Sequence, residues 1–230
     1  MKKPKIFIAC DTTKISEIKK IISQTQTKHL DIGYKFGLEF LYTKNGRNFI
    51  SKLKNRKIFA DYKISDIPNT SSSAIRALKD LKNISYITVH INGGYEMLKA
   101  VKIMAKRNNK KLKVLGITVL TSFSNASIKK IGHTRSIKDL VKIQARLAKS
   151  AGLDGIVCSG HESKFLKNIC EDMEIITPGI RLKGDNTGDQ KRIMSPKDSF
   201  KNGASAIVIG RSITKGNIKN NVKKLIKSLN

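Results

Sequence analysis

Short apolar runs rich in Ile and Val recur along the chain and alternate with longer segments of helical period. The runs are KIFIAC (5–10), IGYKFG (32–37), KIFADY (57–62), YITVHI (86–91), KVLGITVL (113–120), GIVCS (155–159), EIITP (174–178) and AIVIG (206–210). Helical periods fill 13–25, 45–54, 70–82, 94–108, 136–150, 162–171, 196–202 and 217–229. In 136–150, Ile137, Leu140, Val141, Ala145, Leu147 and Ala148 approximate one face. Ser136 is placed to cap that helix, and Asp139 makes its first turn acidic. Strands that alternate with helices pair in parallel through right-handed crossovers. Near-continuous apolar strands suit a sheet covered on both faces. Eight such units predict an α/β fold, a (β/α)8 TIM barrel in a single domain over 1–230, with an open doubly wound sheet as the other arrangement.

A barrel carries its chemistry at the C-terminal ends of its strands, and polar residues cluster there. Asp11 follows the first run, Lys35 closes the second, and Asp61 and Lys63 close the third. His90 and Asn92, Thr121 and Ser122, Ser159, Arg181 and Arg211 follow the remaining five in order. Alternate side chains of a strand share a face, so Phe59, Asp61 and Lys63 point one way and Ala60 and Tyr62 the other. Lys63 then stands about 6.6 Å beyond Asp61. Lys35 on the neighbouring strand reaches the same space, and Asp66 is near enough to join. A charge ladder that merely satisfies itself is the plainer reading, and Asp66 also suits a turn before Pro68. Buried ion pairs add little net stability, which tilts the cluster towards function.

Composition narrows the picture. The 230 residues include 46 Lys and Arg against 17 Asp and Glu, a net charge of +29. That charge is mostly Lys, spread over the helices with little aromatic interleaving, so it suits solubility and steering rather than a specific nucleic-acid face. No window is long and apolar enough to cross a bilayer, and the N-terminal apolar run is too short for a signal peptide. Cys10, Cys158 and Cys170 lack metal-like spacing and read as reduced thiols of a cytoplasmic protein. The four histidines form no pair at ligand spacing, so no metal site is expected.

DYKISDIPNT (61–70) resembles the D-x-K-x-x-D-I-P-N-T signature of the orotidine 5′-phosphate decarboxylases. CD (10–11), KFG (35–37), HINGG (90–94), VLTS (119–122), PGIR (178–181), GDQKR (188–192) and GRSI (210–213) follow in that family's order, nearly end to end. Gly160 stands where the family commonly shows Pro, and Ile64 and Ser65 stand where Phe or Leu and His are usual.

The resemblance implies a cofactor-free decarboxylation of orotidine 5′-phosphate, with catalytic residues Lys63, Asp61, Lys35 and Asp66. Lys63 would protonate the ring carbon that loses CO2, and Asp61 would lie beside the substrate carboxylate. Asp11 and Lys35 would hold ribose hydroxyls. Asp66 and Thr70 would reach across a two-fold interface into a partner's site, which makes a homodimer the expected assembly. Thr121, or equally Ser122, would bond the pyrimidine edge and Pro178 would pack on its face. Arg181 belongs to the same substrate-binding set. Gln190, Gly210 and Arg211 would hold the phosphate, with 181–192 as a lid loop, and His90 is read as part of the wall. The rival is a metal-dependent sugar-phosphate decarboxylase or aldolase of the same barrel group, which would need an added carboxylate such as Glu39.

Overall fold

The computed structural model describes residues 3–185 and 192–229. Eight parallel strands close into a barrel in chain order: β1 (Lys5–Ala9), β2 (Asp31–Phe36), β3 (Lys57–Ile64), β4 (Ile84–His90), β5 (Lys113–Ile117), β6 (Gly155–Val157), β7 (Glu174–Thr177) and β8 (Ala206–Ile209). The barrel closes through β1 and β8, with Lys5 opposite Ala206 and Ile8 opposite Ile209. All eight expected strands are present, and the open-sheet alternative is excluded.

The interior is packed. Phe7, Ala9, Phe59, Tyr86, Leu115, Ile176, Ala206 and Val208 point inward as one cluster. Phe7 meets the rings of Phe59 and Tyr86 edge-on, at 5.2 and 5.1 Å between centroids. The opposite strand faces pack on the surrounding helices: Ile6 and Ile8 of β1, and Ile58 and Ala60 of β3, belong to this larger outer core. Gly33 makes the inner packing possible, because a β-carbon there would stand 2.6 Å from the Phe7 ring.

The helices are α1 (Ile15–Gln24), α2 (Leu38–Leu41), α3 (Gly46–Lys52), α4 (Pro68–Arg76), α5 (Gly94–Asn108), α6 (Asn125–Lys130), α7 (Ile137–Ser150), α8 (Gly160–Leu166), α9 (Pro196–Lys201), α10 (Arg211–Thr214) and α11 (Ile218–Leu229). Ser136 caps α7 as expected, its hydroxyl accepting from the Asp139 amide at 3.1 Å. Three differences bear on the site. Helix α4 begins at Pro68 rather than near Thr70, because Pro suits the first helical turn. Helices α2, α6 and α10 were not expected, being too short to show a period. Strand β3 continues to Ile64, past the expected end at Tyr62. Among the described residues no helix is long and apolar enough to cross a membrane.

Candidate active site

The end of β3 breaks the regular ladder. Its pairing with β4 shifts between Ala60 and Ile64, and Lys63 adopts a left-handed backbone at φ 54°. Such a conformation costs a non-glycine residue about 1–3 kcal/mol and persists only where its surroundings enforce it. Thr88 of β4 supplies the enforcement. Its hydroxyl accepts the Lys63 amide at 2.9 Å and donates to Asp61 Oδ1 at 2.9 Å. One buried hydroxyl therefore fixes both the backbone of the lysine and the orientation of the carboxylate. Alternation along β3 holds as far as Asp61, since Phe59 and Asp61 face inward. The bulge then turns Lys63 back over Asp61, so their charged groups meet.

The second oxygen of Asp61 receives both ammonium groups, Lys63 Nζ at 2.6 Å and Lys35 Nζ at 3.6 Å. Lys35 also reaches Asp11 Oδ1 at 3.2 Å. The result is a charged row, Asp11–Lys35–Asp61–Lys63. Burial alone would push the Asp61 carboxyl up, but Lys35 and Lys63 outweigh it and hold it below the usual carboxylate value. Burial likewise works against the Lys35 ammonium, yet Asp61 and Asp11 raise it above the usual lysine value. Both groups are therefore charged at neutral pH. Burial, followed by the nearby Lys63 charge, depresses the His90 imidazole. Under the row, the Cys10 thiol is pushed up to about 12, chiefly by burial, and is inert.

A cavity of about 260 Å³ opens above this row. Asp11, Lys35, Asp61 and Lys63 form its charged side, while Thr121, Pro178, Arg181, Gly210 and Arg211 line it from β5, β7 and β8. Gly210 lets the chain pass close to the row: a β-carbon there would lie 3.3 Å from that of Ala9 and 3.5 Å from Asp11 Oδ2. Nine of the twelve predicted site residues thus surround one space.

The other three do not. Asp66 is exposed, its carboxylate accepting the Ile67 amide at 2.7 Å, and it does not line the cavity. Thr70 is exposed on α4. Gln190, with half of the 181–192 loop, lies outside the described residues. Of the polar strand-end residues, Ser159 turns out to be the buried cap of α8, bonded in a reciprocal box with Glu162. Glu39, the carboxylate a metal-dependent rival would use, is exposed on α2 and does not line the cavity. Sequence reasoning missed Thr88. Its only signal was a polar residue inside the apolar run YITVH.

Residues 4–225 match the family model described as the orotidine 5′-phosphate decarboxylase / HUMPS family. The chain belongs to that family. A relative from Fusobacterium nucleatum named orotidine 5′-phosphate decarboxylase is 40% identical over 99% of this chain and 96% of its own length. One of the same name from a Wolbachia of Brugia malayi is 42% identical over 96% of each chain. The crystal structure of orotidine 5′-phosphate decarboxylase from Lactobacillus acidophilus superposes with a TM-score of 0.85, at 33% identity and full coverage of both chains. That of the Methanocaldococcus jannaschii enzyme, complexed with the inhibitor BMP, gives 0.78 at 25% identity, again over both whole chains. Of the departures from the family pattern, Gly160 has a local cause. A β-carbon there would stand 2.7 Å from Met194 Sδ, so glycine admits the methionine.

Proposed function

We propose that the chain converts orotidine 5′-phosphate to uridine 5′-phosphate and CO2. The observation that carries this reading is the Asp61 carboxylate held between Lys35 and Lys63 beside a cavity that also presents Arg211. Loss of CO2 from C6 of the pyrimidine leaves an electron pair in the ring plane, where the π system cannot spread it. Fixed charge must stabilise that pair until it is protonated. Lys63 suits both tasks: it lines the cavity, and its ammonium gives its proton to C6. Lys63 then regains a proton from water, which reaches its partly exposed side chain. Asp61 aligns Lys63 and lies beside the departing carboxylate. Two like charges about 4 Å apart repel by roughly 4 kcal/mol at an effective dielectric of 20, and decarboxylation relieves that repulsion. Alignment and fixed charge supply the larger part, because the chain's own hydrogen bond from Lys63 to Asp61 holds the ammonium in place.

The remaining roles follow position. Lys35 and Asp11 hold ribose hydroxyls at the β1–β2 side. Thr121 bonds the pyrimidine edge and Pro178 covers its face. Arg211 and the Gly210 backbone hold the phosphate after β8, with Arg181 on the β7 side, an arrangement barrels commonly give phosphates. Asp66 and Thr70 enter a neighbour's site across a two-fold axis. In support, both are exposed beside Ile67, an apolar residue 66% exposed that a partner would cover. Three free, buried cysteines suit the cytoplasm. The test follows orotidine 5′-phosphate absorbance after adding purified protein in chelator, with unphosphorylated orotidine as control. Rapid loss for the phosphate ester and far slower loss for the nucleoside are expected. Activity abolished by chelator, or no loss at all, overturns the reading.

A further inference from the structure

Arg192 does not line the cavity, yet its guanidinium grips loops that do. Nη1 pairs with Glu162 Oε1, while Nη2 donates to the carbonyls of Leu120, at 3.1 Å, and Val119, at 3.4 Å. Val119 and Leu120 line the cavity beside Thr121. The other oxygen of Glu162 accepts the Ser159 amide at 2.8 Å, next to Cys158, which also lines it. Two residues on, Met194 bonds the third loop: its amide donates to Gly179 at 3.2 Å, and its carbonyl accepts from Arg181 at 3.0 Å. His161 adds a hydrogen bond to the Ile193 carbonyl at 3.1 Å. The loops after β5 and β6 therefore meet at one cation, which the loop after β7 carries.

We infer that Arg192, paired with Glu162, is a positioning residue that sets how the walls after β5, β6 and β7 stand around the substrate. A guanidinium is suited to this because its planar fork serves a carboxylate and a carbonyl at once, which an ammonium on a single flexible stem does not. The pair is sheltered, with side chains 18% and 5% exposed. Burial pushes the Glu162 carboxyl up, and Arg192 opposes that rise. Without the arginine, Glu162 becomes a sheltered acid lacking its counter-charge, and the turn it caps loosens. The cost should fall on substrate affinity, since the walls hold the substrate while the Asp61–Lys63 pair is fixed separately by Thr88.

The inference rests on the decarboxylase reading. Its test compares the full chain with Arg192→Lys, Arg192→Ala, Glu162→Gln and the Arg192→Ala/Glu162→Gln double variant. Steady-state kinetics with orotidine 5′-phosphate are paired with amide hydrogen exchange over 116–122. Each single variant should raise KM at least about tenfold with kcat within about threefold, and the double should be no worse than Arg192→Ala. Exchange at 119–121 should quicken in Arg192→Lys. That variant keeps the charge and the fold, so it carries the test if Arg192→Ala fails to fold. Unchanged KM and exchange in Arg192→Lys, or KM effects that multiply in the double variant, overturn the inference. Should the parent chain show no turnover, the decarboxylase reading fails and the exchange measurement alone decides the clasp.

Discussion

The two ends of the barrel carry nearly the same charge motif. At the mouth, Asp61 sits between Lys35 and Lys63 under the Thr88 hydroxyl. At the floor, Glu174 sits between Lys5, at 2.9 Å, and Lys113, with the Tyr86 phenol donating at 3.1 Å. The carboxylates are similarly sheltered, with 12% and 16% of their side chains exposed. Burial opposes ionisation of both, and paired lysines overcome it in both. A lysine–carboxylate–lysine cluster is therefore not by itself a mark of catalysis. What differs is the setting. The floor residues open regular strands, and both lysines lie over the Tyr86 ring, at 5.6 and 5.7 Å from its centroid. The mouth residues end a bulged strand, hold a lysine in a left-handed backbone and face a cavity. Strain and open space, not charge, separate the end proposed to do the chemistry from the end that closes the barrel.

Substitutions can break this contrast. Asp61→Asn removes the charge that aligns Lys63 and should lower turnover at least about 10²–10³-fold, read as kcat for orotidine 5′-phosphate. An intermediate effect should come from mixing inactive Asp66→Asn with inactive Lys63→Ala. Random two-fold pairing gives half hybrids with one complete site each, so about a quarter of parental activity should return. No recovery would place Asp66 outside any shared site. At the floor, Glu174→Gln should cost roughly 1–3 kcal/mol in denaturant unfolding and leave kcat within about twofold. The smallest effect is on acid stability. The Glu174 carboxyl titrates below its ordinary 4.5, so its contribution is complete above that pH and is lost as pH falls through the lower folded value. Glu174→Gln should flatten the decline of Tm below about pH 4.5 while leaving its slope near neutrality unchanged.

The contrast also shows what the sequence makes legible. All eight strands could be read because buried parallel strands are continuous apolar runs. The mouth could be read because its charges interrupt those runs at their C-terminal ends. The floor could not: Lys5, Lys113 and Glu174 stand at strand starts, where a charge resembles ordinary flanking polarity. The left-handed turn at Lys63 was invisible, since lysine carries no preference for it and Thr88, 25 residues on, imposes it. Asp66 shares a motif with Lys63, but the chain turns outward at Ile67 before α4, so proximity in sequence did not become contact within one chain. The Glu162–Arg192 pair joins residues 30 apart and had no local signal.

The central claim is that Lys63 does the chemistry and Glu174 only holds the barrel together. It is tested most directly by assaying Lys63→Ala and Glu174→Gln side by side for orotidine 5′-phosphate turnover, unfolding stability and binding of uridine 5′-phosphate. The account predicts that Lys63→Ala is folded, binds the product and is slower by at least about 10³-fold, while Glu174→Gln turns over normally but unfolds earlier. A folded Lys63→Ala chain that keeps more than about a tenth of parental turnover would contradict it.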